Sequence, residues 1–462
     1  MQYSSHENKN LALTKFESML KSNKVFFFDL DEFEEIVYYY LDSGKINLAN
    51  KAVELSLNQH PSSIRLKLIK VELLVFENKL KEAEKLIINL EKLDPTFDEI
   101  YIQKAAILSK KDLHQEAITV LLKALDYTYD LVDVHSLIGM EYLFIEKFDV
   151  AIKHFKICLN IDSEDYTALY NIIYCLDMDE RHEDAAAFLN DFIDENPYCE
   201  IAWHQLGRQY FYLNNHNEAL RAFDYAILID EHFVGAYFEK AKVLEEQKKY
   251  QQAISNYLMT IELDDPTAFT FLQIANCYEK LEDTKKAIHF YHKATQEDPM
   301  MEQGWLFLTK MYLNQNNNQK ALYFIQKALE VDAVNTDYLN LFGEVNLRLN
   351  LFEEAAKAFQ ESIQHGEIKL EIFLALVDVL HFIGDYQDAL EVAEMAQIKL
   401  GDFCEILYRI SGMNFLLRNE NEGLKHLEMA LEIDFKYHAV IQTLYPIIFE
   451  KDSVKLLIEK FS

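Results

Sequence analysis

Residues 200–233 read EIAWHQLGRQYFYLNNHNEALRAFDYAILIDEHF, and this pattern of residue types returns along the chain every 34 residues. Units that begin at Leu30 and advance by 34 residues number twelve, and they reach residue 437 without an insertion or deletion. Self-similarity at one fixed period is the signature of a repeat architecture. The sequence therefore predicts twelve copies of one structural unit over residues 30–437.

The second half of each unit has the spacing of a helix that packs closely against a neighbour. Its twentieth position is alanine in eleven copies and glycine in the twelfth: Ala49, Ala83, Ala117, Ala151, Ala185, Ala219, Ala253, Ala287, Ala321, Ala355, Ala389 and Gly423. Four residues later the side chain is large and apolar in all copies but one, and seven residues later it is mostly small. Residues with these spacings share one helix face. We expect small residues to admit a neighbouring helix and the bulky residue to fill the space between them.

The first half of each unit predicts a second amphipathic helix. Its eighth position is often small, as at Gly139 and Gly207, and its eleventh is mostly tyrosine or leucine, as at Tyr142 and Tyr210. The chain has only 11 Gly and 6 Pro, a composition that favours helix throughout. Each unit is thus predicted to be an antiparallel helical hairpin, and the fold class is all-α.

The unit that starts at residue 200 resembles the tetratricopeptide repeat (TPR). The resemblance rests on Trp203, Leu206, Gly207, Tyr210, Ala219, Phe223 and Ala226. It implies a right-handed α-solenoid superhelix of stacked hairpins, whose ends need polar caps. We assign residues 1–29 to an N-terminal capping helix, with Leu13, Phe16 and Leu20 at helical spacing, and residues 438–462 to a C-terminal capping helix and tail.

Charge and cysteine usage narrow the choice of partner and compartment. The formal net charge is −32, and a surface this acidic repels phosphate backbones and anionic lipid. We therefore expect no nucleic-acid partner and no membrane insertion. The start of the chain lacks the pattern of a signal peptide, and the five cysteines form no CxxC pair. A cytoplasmic protein is the expectation.

A search for catalytic or metal-binding motifs gives no enzyme. The sequence holds no GxGxxG, GxxxxGK[ST] or HExxH motif. His289 and His292 are spaced to share a metal, but two surface histidines are the favoured interpretation. The acidic run from Asp177 to Asp184 lacks the glycine and spacing of an EF-hand loop, so it is interpreted as a solvated turn. No catalytic residue, metal site or cofactor is predicted.

The TPR resemblance implies a binding groove lined by positions 2, 5, 9, 12 and 13 of each unit. These 60 positions hold 15 acidic, 7 basic and 12 aromatic residues, which suits a basic or amphipathic protein or peptide. Aromatic and basic residues are densest in the fifth to seventh units. The candidate partner-binding residues are Tyr170, Tyr174, His204, Arg208, Phe211, Tyr212, Phe238 and Lys242. The alternative is that most of these rings pack inside the hairpins.

Three classes of function follow from this sequence. The leading hypothesis is a protein-interaction scaffold or adaptor that holds its partner in the groove. The alternative is a TPR subunit or assembly factor of a stable bacterial complex for secretion, envelope assembly or transcription. An enzyme that carries a TPR array is disfavoured, since the repeats consume almost the whole chain. Oligomeric state and the identity of the partner are not predicted.

Overall fold

A computed structural model of the chain describes residues 3–22 and 25–461, and within these ranges every regular element is a helix. The prediction of an all-α solenoid of helical hairpins is confirmed. The chain divides into two compact units, Met1–Glu231 and His232–Ser462. Residues 1, 2, 23, 24 and 462 of the two assigned caps lie outside the described residues.

The first unit contains one leading helix and six helical hairpins. Its helices are α1 (Tyr3–Ser22), α2 (Leu30–Asp42), α3 (Ile46–Gln59), α4 (Ile64–Phe76), α5 (Leu80–Leu93), α6 (Asp98–Ser109), α7 (His114–Ala124), α8 (Leu131–Phe144), α9 (Phe148–Ile161), α10 (Tyr166–Met178), α11 (His182–Glu195), α12 (Glu200–Tyr212) and α13 (His216–Ile229). The even-numbered helices from α2 to α12 are the first helices of the hairpins. In α1, Phe16 is fully buried against the rings of Phe28 and Tyr40.

The second unit continues the pattern with six hairpins and a closing segment. Its hairpin helices are α14 (Val234–Glu246), α15 (Tyr250–Leu263), α16 (Ala268–Lys280), α17 (Thr284–Glu297), α18 (Glu302–Asn314), α19 (Asn318–Val331), α20 (Thr336–Arg348), α21 (Phe352–Gln364), α22 (Leu370–Ile383), α23 (Tyr386–Leu400), α24 (Cys404–Leu416) and α25 (Glu420–Ile433). A 3-10 turn (Phe435–His438) then leads to α26 (Ala439–Leu444), α27 (Pro446–Phe449) and α28 (Asp452–Phe461).

The turn inside every hairpin has the same backbone conformation. One residue of each turn has a positive φ: Gly44, Asn78, Asp112, Glu146, Glu180, Asn214, Lys248, Glu282, Asn316, Asn350, Gly384 and Arg418. The next residue donates its N–H to the carbonyl five positions earlier, as Asn215 does to Tyr210 at 2.8 Å. This is the bond that closes a Schellman motif at a helix C-terminus. The turn therefore reverses the chain without any inserted loop.

Small residues and one bulky residue build the interior of each hairpin, as the spacing predicts. Ala151, Ala185 and Ala219 at the twentieth position are fully buried. Where the eighth position of a unit is glycine, as at Gly139, Gly207 and Gly343, a phenylalanine of the second helix lies on it. A Cβ added at Gly207 would lie 2.5 Å from Phe223 Cε1, so the ring occupies the volume that any side chain would need. Helix contact at this distance requires glycine.

The closing segment covers α24, the first helix of the last hairpin. Tyr445 is 2 % exposed, and its ring packs on Gly412 and lies 4.9 Å from the ring of His381. Beside it, Arg409 makes two bonds to Asp378, with Nε–Oδ1 at 2.7 Å and Nη2–Oδ2 at 2.6 Å. The C-terminal residues thus cover the face of α24 that corresponds, in repeat position, to the exposed faces of α10 and α12.

Candidate protein-binding site

Two of the predicted anchors lie on α10 and point away from the interior. Tyr170 and Tyr174 are four residues apart, which places them on one helix face. Their side chains are 43 % and 49 % exposed, whereas the adjacent Leu169 and Ile173 are buried. We call the surface formed by the first helices of successive hairpins the first-helix face. The two tyrosines supply amphipathic rings to this face, ready to contact a partner.

A second pair of anchors is held rigidly on α12. The Arg208 guanidinium donates from Nη2 to the Tyr212 hydroxyl at 3.3 Å, and its Cζ lies 5.9 Å from the Tyr212 ring centroid. The Tyr212 ring also stacks on His182 of the preceding hairpin, with centroids 4.8 Å apart. Tyr212 remains 48 % exposed despite these contacts. An aromatic ring already held by a cation and an imidazole loses little entropy when a partner binds.

The packing under this pair is polar and fully bonded. Gln209 is buried, accepts through its Oε1 a hydrogen bond from His182 Nδ1 at 2.9 Å, and donates from Nε2 to Asp177 at 2.9 Å. These bonds join α10, α11 and α12. They hold Tyr212 at a set distance from the tyrosines of α10, because a buried network with its partners in place is stiff.

Two further predicted residues of the first unit belong partly to the interior. The His204 ring packs on Phe223 with centroids 5.8 Å apart, and the Phe211 ring lies 5.9 Å from that of His216. Both side chains are only half-exposed. Both side chains therefore take part in interior packing, whereas Tyr170, Tyr174 and Tyr212 are each more than two-fifths exposed.

The last two predicted residues lie in the second unit, on α14. Phe238 makes an edge contact with Tyr257 at 5.4 Å and a tilted one with Phe269 at 5.9 Å, so its ring is also part of hairpin packing. Lys242 pairs with Glu239, one helical turn away, at 2.9 Å. The structure therefore brings together the six residues on α10 and α12 and places Phe238 and Lys242 in the other unit.

The groups considered for metal binding and catalysis have other roles. Arg181 bonds to Asp149 and Asp184, both at 2.7 Å, so the acidic run around Asp179 is partly neutralised from within. His292 packs on Phe324 at 5.2 Å, and burial lowers its pKa. Within the part of the chain that the structure describes, no three His, Cys, Asp or Glu side chains are placed to hold a metal ion.

All five cysteines are buried. Burial raises the pKa of Cys158 and Cys175 to about 11 and that of Cys277 to about 12. A thiol that stays protonated at neutral pH is a poor nucleophile. The cysteines are core residues, as the sequence indicates.

Two cavities that the repeat pattern does not predict lie at the other end of the first-helix face of the first unit. One is mainly apolar and lies between α4, α6 and α8; the other is acidic and lies between α2, α4 and α6. The signal for the acidic one was present in the sequence, since Glu34, Glu72 and Glu99 hold groove positions in three consecutive units. Counting charge over all twelve units hid this local excess.

The architecture defines the class: an array of helical hairpins with one turn geometry and one packing pattern. Residues 137–198 and 204–265 match one family profile of the tetratricopeptide repeat, and residues 270–299 match a second. These matches identify tetratricopeptide repeats in the chain. Repeats of this family form scaffolds for protein–protein interaction and are typically not catalytic.

Solved structures with a similar fold are distant in sequence. YrrB, described as a TPR protein with an unusual peptide-binding site, is 18% identical with a TM-score of 0.36, over 43% of this chain and 98% of that chain. The C-terminal part of a TPR protein from Cytophaga hutchinsonii is 14% identical with a TM-score of 0.43, over 50% and 95%. A TPR protein from Parabacteroides merdae is 14% identical with a TM-score of 0.37, over 53% and 97%. At these values none of the three indicates a partner or a function for this chain.

Two negative findings complete the comparison. No curated protein matches the chain. Among the helices of the described residues, none is both long enough and apolar enough to cross a bilayer.

Proposed function

We propose that this chain is a protein-interaction scaffold or adaptor whose first-helix face binds a basic or amphipathic partner protein or peptide. One observation carries the proposal: Tyr170, Tyr174 and Tyr212 stand exposed on neighbouring first helices, with Arg208 held over the Tyr212 ring. Tyrosine and arginine are the residues most often found at interaction hot spots. The net charge of −32 favours a basic partner and speeds its approach.

Affinity capture from a native lysate tests the proposal with a matched pair of double variants. Tyr174→Ala/Arg208→Ala removes one exposed ring and one cation from the first-helix face. Tyr323→Ala/Lys327→Ala removes the same two groups from α19, a second helix, where Lys327 lies 6.0 Å from the ring of the 54 % exposed Tyr323. Capture at low and at high salt, followed by mass spectrometry, compares both variants with the unchanged chain.

The expected result is a basic protein that elutes with salt, is lost with the first variant and is retained with the second. Equal loss with both variants, or recovery of nucleic acid instead of protein, contradicts the proposal. Stoichiometry separates the two forms of the function. One partner at a fixed ratio favours a subunit or assembly factor of a stable complex, whereas several weakly bound partners favour an adaptor. The proposed compartment is the cytoplasm.

A further inference from the structure

The larger of the two cavities is an apolar pocket on the first-helix face of the first unit. Its volume is about 540 Å³, which is within the range of pockets that accommodate ligands. Val75, Ile102, Leu137 and Phe144 contribute apolar wall, and Lys110, Asp112, His114 and Glu141 also line it. Phe144 is 52 % exposed at the rim. The pocket is a place where a large apolar side chain would leave water.

A missing side chain creates this pocket. Ala106 of α6 lines it, at the position where α2 and α10 carry Tyr38 and Tyr174. Below it lies Leu121, in place of the larger phenylalanine that fills the hairpins of Gly139 and Gly207. Smaller residues at these two positions leave space beside α6. The space is therefore local to α6 and its surroundings.

The second cavity is an acidic pocket beside the first. Its volume is about 270 Å³, and its lining includes the carboxylates of Glu34, Glu72, Asp98 and Glu99. Buried Leu68 also lines it. The pocket thus has apolar wall for the stem of a lysine or arginine side chain and carboxylates for its head.

The carboxylates of the acidic pocket are short of cations. Among its lining residues, all described by the structure, Arg65 is the one basic side chain, and it already lies 2.5 Å from Glu34 and 3.3 Å from Asp31. Glu72 accepts a bond from the Tyr38 hydroxyl at 3.2 Å, and Glu99 accepts one from Gln103 at 2.9 Å. Burial raises the pKa of Glu34, Glu72 and Glu99, since desolvation outweighs their stabilising contacts. A cation from outside would relieve this cost.

The two pockets share α6, which sets the distance between their occupants. Glu99 lines the acidic pocket and Ala106 lines the apolar one, seven residues further along the same helix. At 1.5 Å per residue the two positions are about 10 Å apart along the helix axis. An extended peptide covers that distance in about three residues. Side chains three positions apart in an extended peptide therefore match the two pockets.

We propose that the first four hairpins bind a basic amphipathic peptide segment of a partner. A lysine or arginine side chain enters the acidic pocket between Glu72 and Glu99, and a leucine- or phenylalanine-sized side chain enters the apolar pocket over Ala106. The inference rests on the proposed function and adds to it a second binding region, separate from Tyr174 and Arg208. Charge complementarity selects the occupant, because an acidic or neutral segment would leave the carboxylates without a cation.

Selection from a random 12-residue peptide library displayed on phage, with the full-length chain as bait, identifies the preferred ligands. Synthetic copies of the enriched peptides are then titrated against three variants. Glu72→Gln/Glu99→Gln removes two charges from the acidic pocket. Ala106→Tyr fills the apolar pocket with a side chain that α2 and α10 already carry at this position. Glu353→Gln/Glu354→Gln makes the same charge change at exposed sites on α21.

The expected peptides carry lysine or arginine about three residues from leucine, phenylalanine or tryptophan. Their Kd rises by about tenfold or more with each pocket variant, as for the loss of a complementary charge or a buried anchor, and stays unchanged with the α21 variant. Circular dichroism checks that each variant is folded. If Ala106→Tyr fails to fold, Ala106→Met replaces it, since α8 carries Met140 at this position.

Several results would overturn the inference. These are enriched peptides without basic residues, no enrichment at all, or affinities that neither pocket variant changes. Peptides that lose affinity only with Tyr174→Ala/Arg208→Ala would refute the pockets and leave the proposed function standing. Sedimentation that shows a dimer, abolished by Ala106→Tyr, would assign the apolar pocket to a second copy of the chain instead. The affinity capture from lysate tests the proposed function separately from the two pockets.

Discussion

The contact between Gly207 and Phe223 gives a sharp test of how each hairpin is packed. In Gly207→Ala, the added Cβ would lie 2.5, 2.8 and 2.7 Å from the Cε1, Cζ and Cδ1 atoms of the Phe223 ring. Phe223 is fully buried, so the ring has no space to retreat into. Overpacking of this kind costs about 1–3 kcal/mol. Alanine recovers about 1 kcal/mol of helix propensity over glycine. Because three ring atoms clash, we expect a net loss of about 2 kcal/mol.

A second substitution separates this steric cost from any other effect. Phe223→Leu alone leaves unfilled volume and costs about 1 kcal/mol. Together with Gly207→Ala it recreates the pair found in the third repeat, where Ala105 and Leu121 hold the same two positions. The double variant should therefore be more stable than the sum of the single changes predicts, with a coupling of about 1–2 kcal/mol.

Urea unfolding followed by Trp203 fluorescence measures these values, in a Trp305→Phe background that leaves one tryptophan. Trp203 lies one helical turn before Gly207 on α12. The shift of the midpoint, multiplied by the slope of the transition, gives the change in free energy of unfolding. A Gly207→Ala chain as stable as the parent, or a double variant whose loss equals the sum of the two single losses, would refute the packing argument.

Four further predictions concern other features of the molecule. Lys248→Gly should raise the free energy of unfolding by about 1 kcal/mol and Gly384→Ala should lower it by as much, because both residues have positive φ. Urea midpoints measure these changes, and a loss of stability in Lys248→Gly would contradict the prediction. Asp378→Asn should cost about 3 kcal/mol, since it leaves the buried Arg409 guanidinium without its charge partner; an unchanged melting temperature would refute it. Burial raises the folded-state pKa of Glu72 and Glu99, so the folded chain binds more protons than the unfolded chain and this contribution to stability falls as pH rises. Glu72→Gln/Glu99→Gln should therefore raise the melting temperature at pH 7 but not at pH 3. A rise at pH 3 but not at pH 7 would contradict this sign. A thiol reagent such as DTNB should label none of the five cysteines quickly in the native state and all five in urea; rapid native labelling of Cys158 would contradict its burial.

The hairpin architecture was predictable because repetition removes ambiguity. A single alanine says little, but Ala151, Ala185 and Ala219 at one spacing identify a helix face, and all three are fully buried. The turns were harder to predict. Glycine at Gly44 and Gly384 and asparagine in four other turns favour the left-handed conformation, whereas residues such as Glu180 and Lys248 adopt it because the closing hydrogen bond requires it.

The candidate site was predictable in position but not in side-chain role. Tyr174 and Phe238 both hold repeat positions that the TPR resemblance assigns to the groove. Tyr174 is exposed, however, whereas Phe238 packs on Tyr257. Phe238 also packs on Phe269 of the next repeat, a contact that numbering within one repeat does not contain. The pockets escaped for a related reason. A void arises from what Ala106 and Leu121 lack, and sequence patterns draw attention to large and charged residues instead.

Site-specific photo-crosslinking tests the central claim most directly. A benzophenone amino acid replaces either Tyr174 on the first-helix face or Leu228 on α13. Helix α13 is a second helix, and the Leu228 side chain is 79 % exposed. Each labelled chain is irradiated in native lysate, and the cross-linked products are identified by mass spectrometry. We expect one discrete basic protein to be cross-linked at position 174 and no protein at position 228. The same product from position 228, or no protein product from position 174, would contradict binding on the first-helix face.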